Sequence, residues 1–315
     1  VNATPTATTA NPSTGAAPAA GAALAADDLQ AWIGRTETVT DTVTPQLAER
    51  LAATVESSRV GLRRGDPLPQ GWYSVLFPRV VPRSQIGRDG HPALGDFLPP
   101  VALPKRMFAG KRMQFLAPLL IGDEVERVSE IASIANKQGS TGPLVFVTLR
   151  HTIRNAAGVA VIEEQDVVYR TAASSVGKEG APAAAAKASA PAFTADKTSP
   201  VITADPVMIF RYSALCFNGH RIHYDQPYAT GVEGYPGLVV NGGLSTLCAI
   251  EHLHDAWGMP LATLSTRNTS PLFEGQPFHV ESAQEGDGVI GFRVVSEAGK
   301  TIVMGQATLA DGSKA

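Results

Sequence analysis

The chain has 315 residues, 44% of them hydrophobic, and 26 basic against 29 acidic side chains for a net charge of −3. That is enough apolar material for one large domain or two ordinary ones, and sparse pairs such as Lys105-Arg106 and Lys111-Arg112 exclude a nucleic-acid footprint while leaving cations for a phosphate. No apolar run approaches the roughly 20 residues of a membrane span. No Lys or Arg precedes Arg35, as a secretory or transit signal would require, so a cytoplasmic location is expected.

In chain order, residues 1–25 are Ala-, Thr- and Pro-rich and are expected to lack order. Residues 46–55 carry an amphipathic helical pattern, and residues 71–77 a shorter, weaker one. Residues 112–130 contain Pro118-Leu119-x-x-Gly122 followed by strand alternation. Residues 143–153 and 161–169 also read as strands, with a turn signal at Asn155-Ala156-Ala157-Gly158 between them. Residues 172–199 have the composition of a linker. They divide the chain into halves, 26–171 and 200–315.

The second half echoes the first. Pro271-Leu272-x-x-Gly275 opens another strand pattern, and residues 289–295 and 301–309 follow, joined by a turn at residues 297–300. Before them, residues 244–254 are apolar over most of a helical surface, as in a buried helix, and Gly242-Gly243 at its start lets a ligand approach the backbone. The fold class expected is α+β: an antiparallel sheet wrapping a central helix, present twice. Cys216 and Cys248 lie in apolar surroundings and read as reduced, buried thiols; two cysteines make neither a disulfide framework nor a zinc site.

The densest polar constellation is Asn218-Gly219-His220-Arg221-Ile222-His223-Tyr224-Asp225, flanked upstream by Ala214-Leu215-Cys216-Phe217. A short His cluster alone is weak, and polar residues satisfying a loop remain an open reading. His-x-x-His lacks the further ligands of a metal site. The glycine-rich run at 231–243 is no dinucleotide fingerprint, and no Gly-x-Ser-x-Gly elbow marks a serine thioesterase.

This segment, with Tyr235-Pro236-Gly237-Leu238-Val239-Val240 after it, resembles the MaoC-like hydratase/dehydratase family in its double-hotdog form. It is most similar to the subgroup containing mesaconyl-C4-CoA (3-methylfumaryl-CoA) hydratase. The first half adds Trp32-Ile33-Gly34-Arg35, Gly65-Asp66-Pro67-Leu68-Pro69 and Gly95-Asp96-Phe97-Leu98-Pro99-Pro100 to the likeness, which covers residues 28–310. Against the family motif Gly-Asp-x-Asn-Pro-x-His, His223 falls on the catalytic His, Asn218 on the Asp, His220 on the Asn and Arg221 on the Pro. Asn241 stands where many relatives have His. Residues 65–69 look like a decayed copy of the motif, with Pro69 in place of the His, so the first half is expected to be non-catalytic and to shape the acyl groove.

The resemblance implies two fused hotdog units and a hydro-lyase acting on an enoyl-CoA thioester. His223 is expected as general acid/base, Asn218 as the water-orienting partner, and Gly242 or Gly243 as backbone donor to the thioester oxygen. Asn218 cannot accept a proton, so His223 acts almost alone or with help from Asp225. Arg221 is expected to pair with a substrate carboxylate, with His220, Asn241 and Tyr224 also on the substrate side. A branched dicarboxylic enoyl-CoA such as 3-methylfumaryl-CoA fits. A 3-hydroxyacyl-thioester dehydratase of fatty acid or polyketide synthesis, or a silent acyl-CoA-binding module, are the alternatives. No cofactor or metal is expected beyond the coenzyme A of the substrate; a monomer or a homodimer is compatible.

Overall fold

The computed structural model describes residues 26–139, 142–171, 193–258 and 260–310. The first half contains α1 (Ala26–Gln30), β1 (Thr36–Thr42), α2 (Pro45–Val55), 3₁₀ turns at Trp72–Val75 and Arg83–Gln85, β2 (Lys105–Phe115), β3 (Glu124–Gly139), β4 (Gly142–Asn155) and β5 (Gly158–Arg170). The second contains β6 (Lys197–Thr198), β7 (Ile202–Thr203), α3 (Pro206–Leu215), a 3₁₀ turn at Arg221–His223, α4 (Gln226–Gly231), α5 (Gly242–Trp257), β8 (Leu261–Asn268), β9 (Pro277–Gly286), β10 (Val289–Ser296) and β11 (Thr301–Leu309). The tail expected at 1–25 and the linker at 172–192 lie outside the described residues. The end of that linker belongs to the fold: Lys197 and Thr198 pair with Ser282 and Glu281 of β9.

The halves repeat each other. β2 to β5 correspond to β8 to β11. α2 and α3 each begin with Pro behind a side-chain cap, Thr44 and Asp205. The Pro-Leu-x-x-Gly echo marks equivalent turns. Gly122 and Gly275 take φ of +98° and +71° at the entries to β3 and β9, a region that suits glycine. Two residues after each Pro, Leu120 bridges Pro67 and Phe273 bridges Val239.

Two details differ from the expected pair of wrapped helices. First, the strands form one antiparallel sheet, in the order β1-β3-β4-β5-β2-β8-β11-β10-β9-β6. β2 meets β8 from Gly110↔Arg267 to Gln114↔Thr263. A Cβ on Gly110 would lie 2.1 Å from the Thr266 carbonyl oxygen, so the junction requires glycine. Second, among the described residues only one full helix lies in the hollow. In the second half α5 occupies the stretch between the Val239 bridge and β8. In the first half the same stretch holds no α-helix, only the 3₁₀ turns Trp72–Val75 and Arg83–Gln85. Phe77, at φ of +59°, and Pro78 after it stop a helix there.

The single helix is buried nearly all round. Leu244, Leu247, Ile250 and Leu253 sit in the main core with Trp72, Phe278 and Phe292, each contributing roughly 2 kcal/mol of apolar burial. The Trp72 turn packs directly on it, with Gly71 so close that an added Cβ would be 2.7 Å from Ile250 Cδ1.

Candidate active site

The catalytic-motif segment leaves α3 through a tight reversal. Phe217 takes φ of +52°, and the Asn218 N–H donates to the Ser213 carbonyl at 2.8 Å. The Asn218 side chain then accepts from the His220 N–H at 3.0 Å. The 3₁₀ turn that follows is stitched to the strand leading into α5. Val239 N–H donates to the Ile222 carbonyl at 2.9 Å, and His223 Nδ1 donates to the Val239 carbonyl at 2.6 Å. A carbonyl can only accept, so the proton sits on Nδ1 and Nε2 keeps its lone pair. His223 is 8% exposed. Burial, with help from the His91 charge and against the Val239 bond, pushes its pKa down to about 4. It is therefore neutral, and able to take a proton, at pH 7.

The strand from Val239 runs straight into the start of α5, and that start is open. The helices α2, α3 and α4 are each closed by a side chain: Thr44 accepts from Leu47 N–H at 3.2 Å, Asp205 from Met208 N–H at 2.7 Å, and Asp225 from Tyr228 N–H at 3.0 Å. At α5 the N-cap is Asn241, and its side chain makes no capping bond. The first N–H groups of a helix have no partner inside it, so those of Gly242 and Gly243 remain donors for a ligand, beside the dipole's positive end. Three elements converge on this turn. A Cβ on Gly243 would lie 2.5 Å from the Tyr212 hydroxyl of α3. One on Gly242 would lie 3.2 Å from Phe108 of β2 and 3.4 Å from Asn268 Nδ2 of β8. Asn241 itself is buried with Oδ1 unpartnered.

His220 joins His223 to the other half of the molecule. Its ring centroid is 5.4 Å from that of His223, edge to face, and 4.1 Å from that of His91. His91 lies on the long loop between the Trp72 turn and β2, and that loop docks on the motif. Asp89 carbonyl accepts from Arg221 N–H at 2.9 Å, and Gly90 presses so closely on Gly219 that a Cβ would be 1.9 Å from its carbonyl oxygen. Asp89 Oδ2 holds His91 Nδ1 at 2.9 Å, and Arg106 Nη2 lies 3.8 Å from the same oxygen. Burial alone would raise the Asp89 carboxyl; its bonds to His91 and the Arg106 charge outweigh that and hold it well below the usual carboxylate range. Burial, then the charges of His91 and His223, push His220 down to about 2. A cavity of about 410 Å³ opens here, with Arg88, Asp89, Lys105 and Arg106 on one wall and His220 and Ile222 on the other.

Residues 71–274 match the family described as hydroxyacyl-thioester dehydratase type 2. The chain is 40% identical over 264 residues to a protein named mesaconyl-C(4)-CoA hydratase from Chloroflexus aurantiacus, covering 84% of this chain and 92% of that one. The chain belongs to the hydroxyacyl-thioester dehydratase type 2 family. The mitochondrial protein of that name from Schizosaccharomyces pombe is 28% identical over 245 residues, 70% of this chain and 79% of its own. Among solved structures, a MaoC-like dehydratase from Phytophthora capsici superposes with a TM-score of 0.66 at 17% identity, covering 92% of this chain and all of that one. A Mycobacterium tuberculosis protein described as a double hotdog fold gives 0.52 at 14% identity, covering 90% and 97%. The fold is the double hotdog.

Of the expected site residues the structure places only His220 on the cavity, edge to face with His223; Asn218 and Asn241 are joined to each other through Ser213, and they and the Gly242-Gly243 turn do not line it. Nor does the structure bring Arg221 or Tyr224 into the cavity. The Arg221 guanidinium is already engaged, by Asp225 Oδ2 at 2.7 and 2.9 Å, by the Arg88 carbonyl at 3.2 Å, and by the Tyr228 ring at 4.1 Å. Asp225, expected as a possible helper of His223, is spent on that ion pair and on capping α4. Tyr224 is exposed and donates to the Gly219 carbonyl at 3.1 Å, pinning the loop from outside. The copy at 65–69 is a turn: Asp66 Oδ2 accepts from Arg63 N–H at 2.7 Å, and Pro67 forms the bridge to Leu120. Asp89 and His91 were not singled out in the sequence, and Arg106 only within a sparse basic pair that could hold a phosphate. Gly87-Arg88-Asp89-Gly90-His91 does carry a signal, a base and an acid between glycines with a His directly after.

Asp89, His91 and His220 also bring possible ligand atoms within 4.8 Å of one another. The surroundings oppose a metal cation. His91 Nδ1 is already bonded to Asp89, and Arg106, Arg88 and Lys105 line the same cavity. This wall suits an anion.

Proposed function

We propose that the protein is a hydro-lyase that adds water across the double bond of an enoyl-CoA thioester, and that its acyl group is a branched dicarboxylic one such as 3-methylfumaryl-CoA (mesaconyl-C4-CoA), giving citramalyl-CoA. One observation carries the reading: His223, its proton fixed on Nδ1 by Val239, stands at the end of the strand that leads into the uncapped start of α5. A base and a pair of oxyanion donors thus come from one stretch of chain. Nε2 takes a proton from water as the oxygen bonds to the β-carbon. Negative charge moves to the thioester oxygen, which accepts from the Gly242 or Gly243 N–H. The α-carbon then takes a proton, and His223 is the group able to return it, because Asn218 cannot ionise. Asn218 shapes the turn and leaves amide donors to orient the water. The first half supplies the cation-bearing wall, with Asp89 and His91 bonded to each other.

Dehydration of a 3-hydroxyacyl thioester is the same chemistry run backwards, and the family description favours it as the second reading. No described helix is long and apolar enough to cross a membrane; a cytoplasmic location and a homodimer belong to the proposal.

The test follows absorbance of the conjugated enoyl thioester with mesaconyl-C4-CoA, crotonyl-CoA and acyl-carrier-protein thioesters, for the wild type and His223→Ala. The band should vanish with wild type on mesaconyl-C4-CoA, with kcat down about 10³-fold in the variant. Faster turnover of carrier-protein esters would favour the dehydratase. Thermal stabilisation by CoA esters without any turnover would leave a binding module.

A further inference from the structure

We propose that Arg106 is the specificity-determining residue of this site, pairing with the free carboxylate of a dicarboxylic acyl group. The inference rests on the hydratase reading above and assigns its substrate selection to a cation that the catalytic motif does not contain.

The cavity is lined by three cations, and they are not equivalent. Lys105 is committed to an ion pair with Glu233 across the cavity. Arg88 is exposed, at the solvent side. Arg106 is half-buried, and its nearest carboxylate among the described residues, Asp89, is 3.8 Å away, with the facing oxygen already bound to His91 at 2.9 Å. The Tyr169 hydroxyl faces one of its N–H groups, and a guanidinium in that state still keeps donors for a carboxylate. Arg221, beside the base in sequence, has already closed its Nε/Nη2 fork on Asp225 and is held further by the Arg88 carbonyl and the Tyr228 ring, and it does not line the cavity.

Position supports the same choice. Arg106 and His220 line one cavity, and His220 stacks edge to face with His223. After burial, the Arg106 charge is among the causes that hold His91 and His220 below the ordinary histidine pKa, so it acts at close range on the rings beside the base. In a 3-methylfumaryl thioester the free carboxylate is attached to the β-carbon, where the water oxygen bonds. An unpaired anion there repels the incoming oxygen. A guanidinium on the carboxylate relieves that repulsion, so it raises kcat as well as affinity. A monocarboxylic enoyl group gains nothing from it.

A phosphate of coenzyme A is the other anion that could reach this wall, and the experiment separates the two. Arg106→Met and Arg221→Met are compared with wild type on mesaconyl and crotonyl groups, each carried by coenzyme A and by N-acetylcysteamine, which has no phosphate. Arg106→Met should lower kcat/KM about 100-fold for the mesaconyl group on either carrier, the loss of a charge-assisted pair. Crotonyl turnover should stay close to wild type, which also shows that the variant is folded. Equal loss on both CoA esters, absent with N-acetylcysteamine, would assign Arg106 to the carrier phosphates and overturn the proposal. So would a mesaconyl-selective loss in Arg221→Met alone. Wild-type turnover of crotonyl-CoA but not mesaconyl-C4-CoA would sink the dicarboxylate assignment and leave the hydratase standing. Turnover of neither would remove the hydratase reading, and this inference with it.

Discussion

The two halves share an order of strands and differ in what fills the hollow. In the second half α5 runs through it for 16 residues; in the first a four-residue turn, Trp72–Val75, takes the corresponding place. The chain freed by the missing helix becomes the long loop at 76–104. One part of that loop, with Phe97 and Val101, joins Leu29 and Trp32 to cover the far end of β3 to β5. Another part carries Asp89 and His91 across to the catalytic motif. The comparison teaches a division of labour. The half with the helix has the base and the open helix end, and the half without it supplies the opposite wall of the cavity.

The largest way to break the comparison is to cut α5 loose from the first half. Glu251 in the middle of α5 accepts from Trp72 Nε1 at 2.8 Å, Ser57 hydroxyl at 2.6 Å and Arg59 at 2.8 Å. All three donors lie in the first half. Glu251→Ala leaves a buried indole N–H without its acceptor and a partly buried guanidinium with Asp255 alone, and should cost roughly 3 kcal/mol in denaturant unfolding. A cost below about 1 kcal/mol, the range of exposed ion pairs, would mean that apolar packing alone joins the halves.

A pair of glycine substitutions sharpens the contrast further. Gly243→Ala forces a Cβ to 2.5 Å from the Tyr212 hydroxyl, so the donor turn or α3 must shift. A displacement of that size should lower kcat/KM by up to about 100-fold. Tyr212→Phe in the same chain removes the clashing oxygen and should return much of the rate. Gly71→Ala, at φ of +84° and 2.7 Å from Ile250, should instead cost about 2 kcal/mol of stability and leave kcat unchanged. The same rate loss in both would show that the two ends of the hollow are not separable.

Much of this was legible because it is local. β4, β5, β10 and β11 follow the expected apolar patterns and turn residues, and α5 matches the buried-helix pattern within a few residues. The motif from Asn218 to His223 and the glycines at 242 and 243 are neighbours through one short strand. What was not legible depends on partners distant in the chain. β2 reads as a charged segment because Arg112 is answered on the outer face by Asp166 and Glu164, and Lys111 on the inner face by Glu163. The helix at 45–55 was expected from its amphipathic pattern, but its counterpart is α3, not α5, and only the paired bridges at Pro67 and Val239 reveal that. Asp89 belongs to the site only through the docked loop, and Arg106 only through the start of β2 that follows it. The Arg221 side chain was placed by its nearness to His223, when its (i, i+4) partner Asp225 had already claimed it.

The smallest effect is a slope with pH, and it again sets the halves side by side. Each half buries one histidine near the same value. Burial holds His223 at about 4, bonded to Val239, and His151 at about 4, with Nδ1 2.8 Å from the Ser129 hydroxyl. In the unfolded chain both titrate near 6.5. Between about pH 4 and 6.5 the unfolded state therefore binds more protons, so stability must rise with pH through that window and each contribution is complete above it. His151→Gln and His223→Gln should flatten the melting-temperature slope to a similar degree. Rate separates them. His223 must be neutral to accept a proton, so kcat should be level through neutrality and fall only as pH drops towards about 4. That profile should survive in His151→Gln and be absent, with the activity, in His223→Gln. A rate that already falls at pH 6.5 would mean that the imidazole next to Val239 is solvated during turnover, and that burial of the second half's histidine does not set the pH at which it acts as a base.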